Sequence, residues 1–286
     1  MPTYTGADGA DLYYDELGST AGEPALALAG GAALDPSYLG DLAGLAERHP
    51  LVVPHLRGVG KSPMPSDDET GSYWRQADDL ESLRRHLGLE RVVLIGHSAG
   101  TRLAIAYAAQ HPDCVARLIL ITPPTEYLVG AQSDVEALRA ERANDPTFQA
   151  ALAAWQAGPD PSSDETFNVW QQASAPLAYA AWTSVEEEHA RAGWFRVAPA
   201  RAYFSVEPPA DLAARLAAIT APVLVVAGEK DCSAGTAGPV AAAALFPVNE
   251  VAIIEGSGHF PWVEQPAAFR RVFDAFLDQP LRAPAR

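Results

Sequence analysis

The chain has 286 residues, of which 48% are hydrophobic and 20% are charged, and its formal net charge is −16. This length accommodates one large α/β domain or a core domain with an insertion, and the composition is typical of a folded globular protein. The negative charge argues against a nucleic-acid partner, because phosphate binding requires a basic surface, and it disfavours binding to anionic membranes.

The two cysteines, Cys114 and Cys232, lack the spacing of zinc ligands. They predict neither a disulfide framework nor a metal site. The first residues lack a positive segment leading into an apolar run, so we expect no signal peptide. No stretch approaches the roughly 18 apolar residues that span a bilayer. We therefore expect a cytoplasmic protein that needs no metal and no organic cofactor.

Short apolar runs alternate with helical patterns through the first part of the chain. The predicted strands are 25–29, 51–53, 92–95 and 118–121, and the predicted helices are 38–46, 77–87 and 99–110. The run at 92–95 is apolar at every position, which indicates a sheet that is covered on both faces. This alternation predicts right-handed βαβ crossovers and a mostly parallel central sheet flanked by helices.

The pattern changes after Pro123 and Pro124. Residues 125–209 show no convincing strand, and helical patterns occur at 135–142, 147–155, 168–173 and 184–192. Apolar strands resume at 222–227 and 251–254, and the last helix has an apolar stripe that includes Phe269, Phe273 and Phe276. The sequence thus predicts an α/β core of residues 1–124 and 210–286, interrupted by a helical cap of residues 125–209.

A G-x-S-x-G motif lies between a predicted strand and a predicted helix, as Gly96-His97-Ser98-Ala99-Gly100. In this context the motif is typical of the nucleophile elbow of α/β-hydrolases, where a sharp turn exposes the serine. Without this strand and helix on either side, the same residues would be read as an ordinary turn with no catalytic role. The apolar strand before the motif and the helix after it favour Ser98 as the nucleophile.

A serine nucleophile needs a base, and the base needs an acid that orients it. Of seven histidines, His259 alone lies in a loop between the last predicted strand and the last helix, where this fold presents its base. Asp231 closes the turn that follows the strand at 222–227, with Glu229 as its rival. The order Ser98, Asp231, His259 is the chain order of the α/β-hydrolase triad.

Three further segments resemble the α/β-hydrolase superfamily, and within it the prolyl aminopeptidase (proline iminopeptidase) branch. Residues 29–33 are similar to its H-G-G-P-G turn, residues 55–62 to its D-Q-R-G-x-G-x-S segment, and 258–262 read G-H-F-P-W. The resemblance implies an oxyanion hole made by the N–H groups of Gly31 and Ala99. The chain departs from the pattern at Ala29 and Ala32, which replace a histidine and a proline.

An aminopeptidase must bind a protonated amine, for which buried carboxylates are the natural partner. Within the predicted cap we single out Glu186, Glu187, Glu207 and Trp182 as candidate substrate-binding residues, although the glutamates also fit a solvated helix face. Several aromatic residues of the cap are candidates for lining an apolar cavity. These are Trp155, Trp170, Trp182, Trp194, Phe195, Tyr203 and Phe204.

The predicted function is a serine hydrolase that cleaves a small or medium-sized amide or ester through an acyl-enzyme. An aminopeptidase-like activity is favoured over a plain esterase. The alternatives are a carboxylesterase, lactonase or thioesterase of the same fold, or a ligand-binding protein that hydrolyses slowly. The expected partner is a small-molecule or short peptide-like substrate.

Overall fold

Eight strands build the protein around one sheet. The computed structural model describes residues 2–18, 22–130 and 133–280. The strands are β1 (Thr3–Thr5), β2 (Asp11–Leu17), β3 (Ala25–Leu28), β4 (Leu51–Pro54), β5 (Val92–His97), β6 (Val115–Ile121), β7 (Val223–Gly228) and β8 (Asn249–Ile254). Their order across the sheet is β1-β2-β4-β3-β5-β6-β7-β8. β2 pairs antiparallel with β1 and β4, and all other pairs are parallel.

Helices cover both faces of the sheet and fill the long connection between β6 and β7. They are α1 (Gln76–His86), α2 (Gly100–Gln110), α3 (Glu126–Val129), α4 (Val135–Glu141), α5 (Pro146–Ala157), α6 (Asp164–Ser174), α7 (Ser184–Ala190), α8 (Val197–Tyr203), α9 (Leu212–Leu216), α10 (Ala237–Ala243), α11 (Pro261–Glu264) and α12 (Pro266–Leu277). None of the described helices is long and apolar enough to cross a membrane.

The inner strands β3 to β7 are buried on both faces, as the apolar runs predict, whereas the edge strand β8 is largely exposed. Leu94 of β5 and Leu118 of β6 belong to a core that also contains residues of α1 and α2, such as Leu103. Their neighbours Ile95 and Ile119 belong to a second core, which α12 closes from the other face. Alternate residues of one strand therefore belong to two cores, which explains why β3, β4 and β7 contain only apolar residues and glycine.

The predicted helix at 38–46 is wrong. The segment instead forms two short 3-10 turns, Pro36–Leu39 and Leu45–Glu47. Between them, Leu42, Ala43 and Gly44 all have positive φ values, of 52°, 57° and 77°. A right-handed helix cannot continue through left-handed residues, so the apolar spacing reflects burial under the sheet rather than helical periodicity. The sequence analysis also did not single out the antiparallel strands β1 and β2.

Between β6 and β7, the described part of residues 125–209 contains helices α3–α8 and a single β-bridge, between Leu34 and Phe195. We call residues 125–209 the insertion. Local signals explain its helix starts, because Asp145 caps α5, and capping boxes at Ser163 and Thr183 begin α6 and α7. The division into a core and a cap domain stays a prediction.

The turn after β4 is held by a buried ion-pair network around Arg57. The Arg57 side chain is only 2% exposed and forms two hydrogen bonds to Asp79, at 2.7 and 2.8 Å. Its other edge contacts Asp8 at 2.7 and 2.8 Å. Two carboxylates thus compensate one buried guanidinium, which raises the pKa of Arg57 despite the opposing effect of its burial.

Removing Asp79 leaves the buried guanidinium of Arg57 with only the more exposed carboxylate of Asp8. We expect Asp79→Ala to lower the free energy of unfolding by about 3–5 kcal/mol. Urea denaturation followed by circular dichroism measures this loss. The control is Glu69→Ala, which removes the exposed partner of Arg75 and should cost at most about 1 kcal/mol. Equal effects of the two substitutions would contradict this account of Arg57.

Candidate active site

A strained turn between β5 and α2 carries Ser98. The residue has a φ of 50°, in the left-handed region that side chains rarely adopt. The turn is closed so tightly that a Cβ atom on Gly100 would lie 2.5 Å from the carbonyl oxygen of Ala29. One on Gly96 would lie 2.8 Å from the oxygen of Gly100. The glycines at both ends of the motif are therefore required by backbone contact rather than by flexibility.

Asp231 and His259 meet at the same edge of the sheet. Asp231 follows β7, is completely buried, and its Oδ2 lies 2.7 Å from Nδ1 of His259. Its other oxygen accepts hydrogen bonds from the backbone N–H groups of Ser233 and Ala234, at 2.8 and 3.0 Å. A carboxylate held at both oxygens fixes the proton of His259 on Nδ1, which leaves Nε2 free to act as a base.

Ser98 and His259 line one cavity of about 180 Å³ between the sheet and the insertion. The carboxyl ends of parallel strands commonly form such a site. Its lining is mainly apolar and aromatic. The lining residues are Gly31, Leu34, Tyr38, His97, Ser98, Trp155, Trp170, Gln171, Ser174, Ala175, Leu177, Ala178, Phe195, Ser233, His259 and Phe260.

The structure places Gly31 beside Ser98 in the lining of this cavity, and Ala99 directly before the first residue of α2. Gly31 has a φ of 65°, and a Cβ atom there would lie 2.5 Å from the ring of Phe195. Within the described residues, neither backbone N–H donates to an acceptor of the protein. Free amides beside the serine, one at a helix start, can bind a developing negative charge.

The four predicted substrate-binding residues lie elsewhere. Glu186 closes the capping box of α7 by accepting hydrogen bonds from Thr183, and Glu187 forms an ion pair with Arg191. Glu207 is exposed, and Trp182 contacts the ring of Tyr179. None of the four is among the described residues that line the cavity. Their role in substrate binding stays a prediction, which this geometry does not favour.

Three aromatic residues of the insertion do line the cavity: Trp155, Trp170 and Phe195. They belong to the larger set of aromatic residues predicted as candidates for lining a cavity, and the sequence does not distinguish them from the rest of that set. Gln171 and Ser174 were missed, and nothing in their local sequence distinguishes them. Among the described residues, no group of three or more His, Cys, Asp and Glu side chains is arranged to hold a metal ion.

A further residue that the sequence analysis missed is Glu264, at the end of α11. Its two oxygens accept hydrogen bonds from the backbone N–H of Gly258, at 2.7 Å, and of Ala180, at 2.6 Å. One carboxyl group thus ties the loop of His259 to the insertion. Burial raises the pKa of Glu264 to about 7, assisted by Glu186 and opposed by the backbone donors.

With this geometry described, the chain can be compared with known proteins. A family model for the alpha/beta hydrolase fold matches residues 37–266, which is most of the chain. The chain therefore belongs to the α/β-hydrolase fold family, as the motif around Ser98 predicts. Its resemblance to proline iminopeptidases is also confirmed. The proline iminopeptidase of Heyndrickxia coagulans is 34% identical over 110 residues, which are 38% of this chain and 38% of that protein.

Solved structures show the same fold along nearly the whole chain. An esterase from Thermogutta terrifontis superposes with a TM-score of 0.70 at 24% identity, covering 96% of this chain and 97% of that one. The proline iminopeptidase of Mycobacterium smegmatis gives a TM-score of 0.73 at 21% identity, with coverages of 96% and 97%. The fold supports a hydrolase, and its structural neighbours include both esterases and peptidases.

The raised pKa of Glu264 predicts a pH-dependent stability. Between pH 4.5 and about 7 the folded protein holds a proton that the unfolded chain has lost, so stability falls as pH rises through this window. From pH 5 to pH 8 we expect the free energy of unfolding of the wild type to fall by up to about 3 kcal/mol more than that of Glu264→Gln. Urea denaturation at both pH values measures this difference.

The matched control for this experiment is Gln265→Ala. It removes a hydrogen bond from the Gln265 side chain to the carbonyl of Gly256, in the same loop, without removing an ionisable group. This variant should keep the wild-type pH dependence. If Glu264→Gln also kept it, the titration of Glu264 would not contribute to stability.

Proposed function

We propose that this chain is a serine hydrolase in which Ser98, His259 and Asp231 form the catalytic triad. The observation that carries the proposal is the 2.7 Å contact between Nδ1 of His259 and the buried carboxylate of Asp231. It lies in the same cavity as a serine held in a strained elbow. Strain at a residue in a cavity is typical of functional sites.

The reaction begins with attack of the Ser98 hydroxyl on a substrate carbonyl, while Nε2 of His259 takes the proton. Asp231 stabilises the imidazolium that forms, because its charge lies next to Nδ1 in a buried environment. The N–H groups of Gly31 and Ala99 bind the oxyanion of the tetrahedral intermediate. His259 then protonates the leaving group, and a water molecule, activated in the same way, releases the acyl group from Ser98.

The lining of the cavity favours a neutral acyl ester as the substrate. Trp155, Trp170 and Phe195 provide apolar surface, and the uncharged side chains of Gln171 and Ser174 provide hydrogen-bonding groups. No Asp, Glu, Lys or Arg is among the described lining residues. An apolar cavity with a few neutral polar groups binds uncharged substrates, and it offers a protonated amine no counter-charge.

The second candidate is an aminopeptidase-like amide hydrolase, which the sequence analysis favoured. Its support is the 34% identity to the proline iminopeptidase of Heyndrickxia coagulans over 110 residues. That stretch covers 38% of this chain. We therefore favour the ester, which the uncharged cavity lining supports.

Paired chromogenic substrates test this preference directly. We expect p-nitrophenyl butyrate to be cleaved with a kcat/KM at least about 100-fold above that for proline and alanine p-nitroanilides, because the anilides bring a buried, unpaired ammonium group. Ser98→Ala should lower kcat on the ester by at least about 1,000-fold while the protein stays folded. The matched control is Ser233→Ala, which removes a hydroxyl from the same cavity but not the nucleophile.

Each outcome of this assay has a distinct meaning. Faster cleavage of the anilides would establish the aminopeptidase and contradict the ester preference. Ester cleavage that survives Ser98→Ala would contradict the triad. Absence of turnover, together with no labelling of Ser98 by a fluorophosphonate, would favour a ligand-binding protein on the same fold.

A further inference from the structure

Two buried aromatic side chains connect the elements of the active site behind the nucleophile. Tyr38 and His97 are 3% and 2% exposed. The phenol oxygen of Tyr38 lies 2.7 Å from Nδ1 of His97, and it accepts a hydrogen bond from the backbone N–H of Gly30 at 2.6 Å. The other ring nitrogen of His97, Nε2, lies 3.1 Å from the carbonyl oxygen of His259.

The two groups at the ends of this path of hydrogen bonds determine the direction of every hydrogen bond along it. The carbonyl of His259 can only accept, so the proton of a neutral His97 must be on Nε2. Nδ1 is then an acceptor, and the Tyr38 hydroxyl must donate to it. The hydroxyl oxygen remains free to accept from Gly30, whose N–H can only donate. Every polar atom along this path is therefore satisfied in one arrangement only.

Burial keeps both groups in the protonation states that this arrangement requires. Burial, followed by the proximity of His259, lowers the pKa of His97 well below its usual value, so the ring stays neutral at physiological pH. Burial likewise raises the pKa of the Tyr38 hydroxyl, which keeps its proton. The path of hydrogen bonds thus keeps this arrangement at physiological pH.

The carbonyl of His259 receives a second hydrogen bond, from the hydroxyl of Thr122 at 3.1 Å. Thr122 is completely buried and has a φ of 44°, an unfavourable conformation for a β-branched residue. The backbone N–H of His259 donates to the carbonyl of Ala178 at 2.7 Å. The main chain of the base is therefore held on both sides, independently of the contact between its imidazole and Asp231.

We propose that Tyr38 and His97 are positioning residues, which fix the backbone of His259 and the loop of Gly31 at one relative position. Gly30 precedes Gly31, His97 precedes Ser98, and His97 contacts the carbonyl of His259. One path of hydrogen bonds therefore links the loops that carry the oxyanion amide, the nucleophile and the base. This inference rests on the proposed function of the site.

A second buried tyrosine provides a matched control. Tyr107 of α2 is completely buried, and its hydroxyl donates to Oε2 of Glu81, in α1, at 3.0 Å. Tyr107→Phe and Tyr38→Phe thus each delete one buried phenol hydroxyl that hydrogen-bonds to another side chain. Neither Tyr107 nor Glu81 is among the described residues that line the cavity, whereas the histidine paired with Tyr38 contacts the backbone of His259.

The test compares the two phenylalanine variants on p-nitrophenyl butyrate and in the rate of Ser98 labelling by a fluorophosphonate. We expect Tyr38→Phe to lower kcat and the labelling rate by about 10- to 100-fold, since small displacements of reacting groups have effects of this size. KM should stay within about threefold, because phenylalanine keeps the ring that Tyr38 contributes to the lining. Tyr107→Phe should keep kcat within about threefold, at a comparable loss of melting temperature.

Substitutions of His97 separate positioning from packing. In His97→Gln, the side-chain amide can still donate to the carbonyl of His259 and accept from Tyr38. His97→Leu fills the space without either hydrogen bond. We expect kcat of the glutamine variant to be at least about tenfold higher than kcat of the leucine variant.

The outcomes distinguish this inference from the proposed function. Equal kcat losses in the two phenylalanine variants, an active Tyr38→Phe, or equal activity of the glutamine and leucine variants would overturn the positioning role alone. A wild-type protein that neither hydrolyses the ester nor labels at Ser98 would overturn both proposals.

Discussion

The close approach of the β5–α2 turn to its neighbours constrains the rest of the site. Ser98 takes a left-handed conformation because the chain turns sharply between Gly96 and Gly100, where there is no space for a side chain. At Gly100 the adjacent strand comes so near that even a methyl group would contact the carbonyl of Ala29. The first turn of α2 therefore lies directly above the loop of Gly30 and Gly31. The serine and both candidate oxyanion amides consequently share one small region of closely packed backbone.

The parts of the site that could be predicted are those with a local signal. Gly96 and Gly100 mark a turn that only glycine permits, and Asp231 and His259 follow apolar strands whose carboxyl ends meet in a parallel sheet. The lining of the cavity has no such signal. Glu186 was singled out for its charge, yet that charge serves the start of α7, because a capping box uses the same residue type. Trp155 and Trp170 reach the cavity only through the packing of α5 against α6, which sequence spacing does not specify.

The insertion contributes to the site in two ways. Its side chains form much of the apolar lining, and its backbone supports the loop of the base. The carbonyl of Ala178 accepts the N–H of His259, and the N–H of Ala180 donates to Glu264, which also holds Gly258. A shift of this segment would therefore change both the shape of the cavity and the position of the imidazole. We infer that the shape of the cavity and the position of the His259 imidazole are coupled through the backbone of Ala178 and Ala180.

The overall charge of the chain and the charge of its cavity differ in a way that bears on the substrate. The formal net charge is −16, but no acidic side chain is among the described residues that line the cavity. Two buried carboxylates contact the loop of His259, and both already have partners: Asp231 contacts the imidazole, and Glu264 accepts two backbone amides. Neither carboxylate is among the described residues that line the cavity. The uncharged lining thus supports our proposal of a neutral acyl ester as the substrate, because a cationic amine would find no counter-charge there.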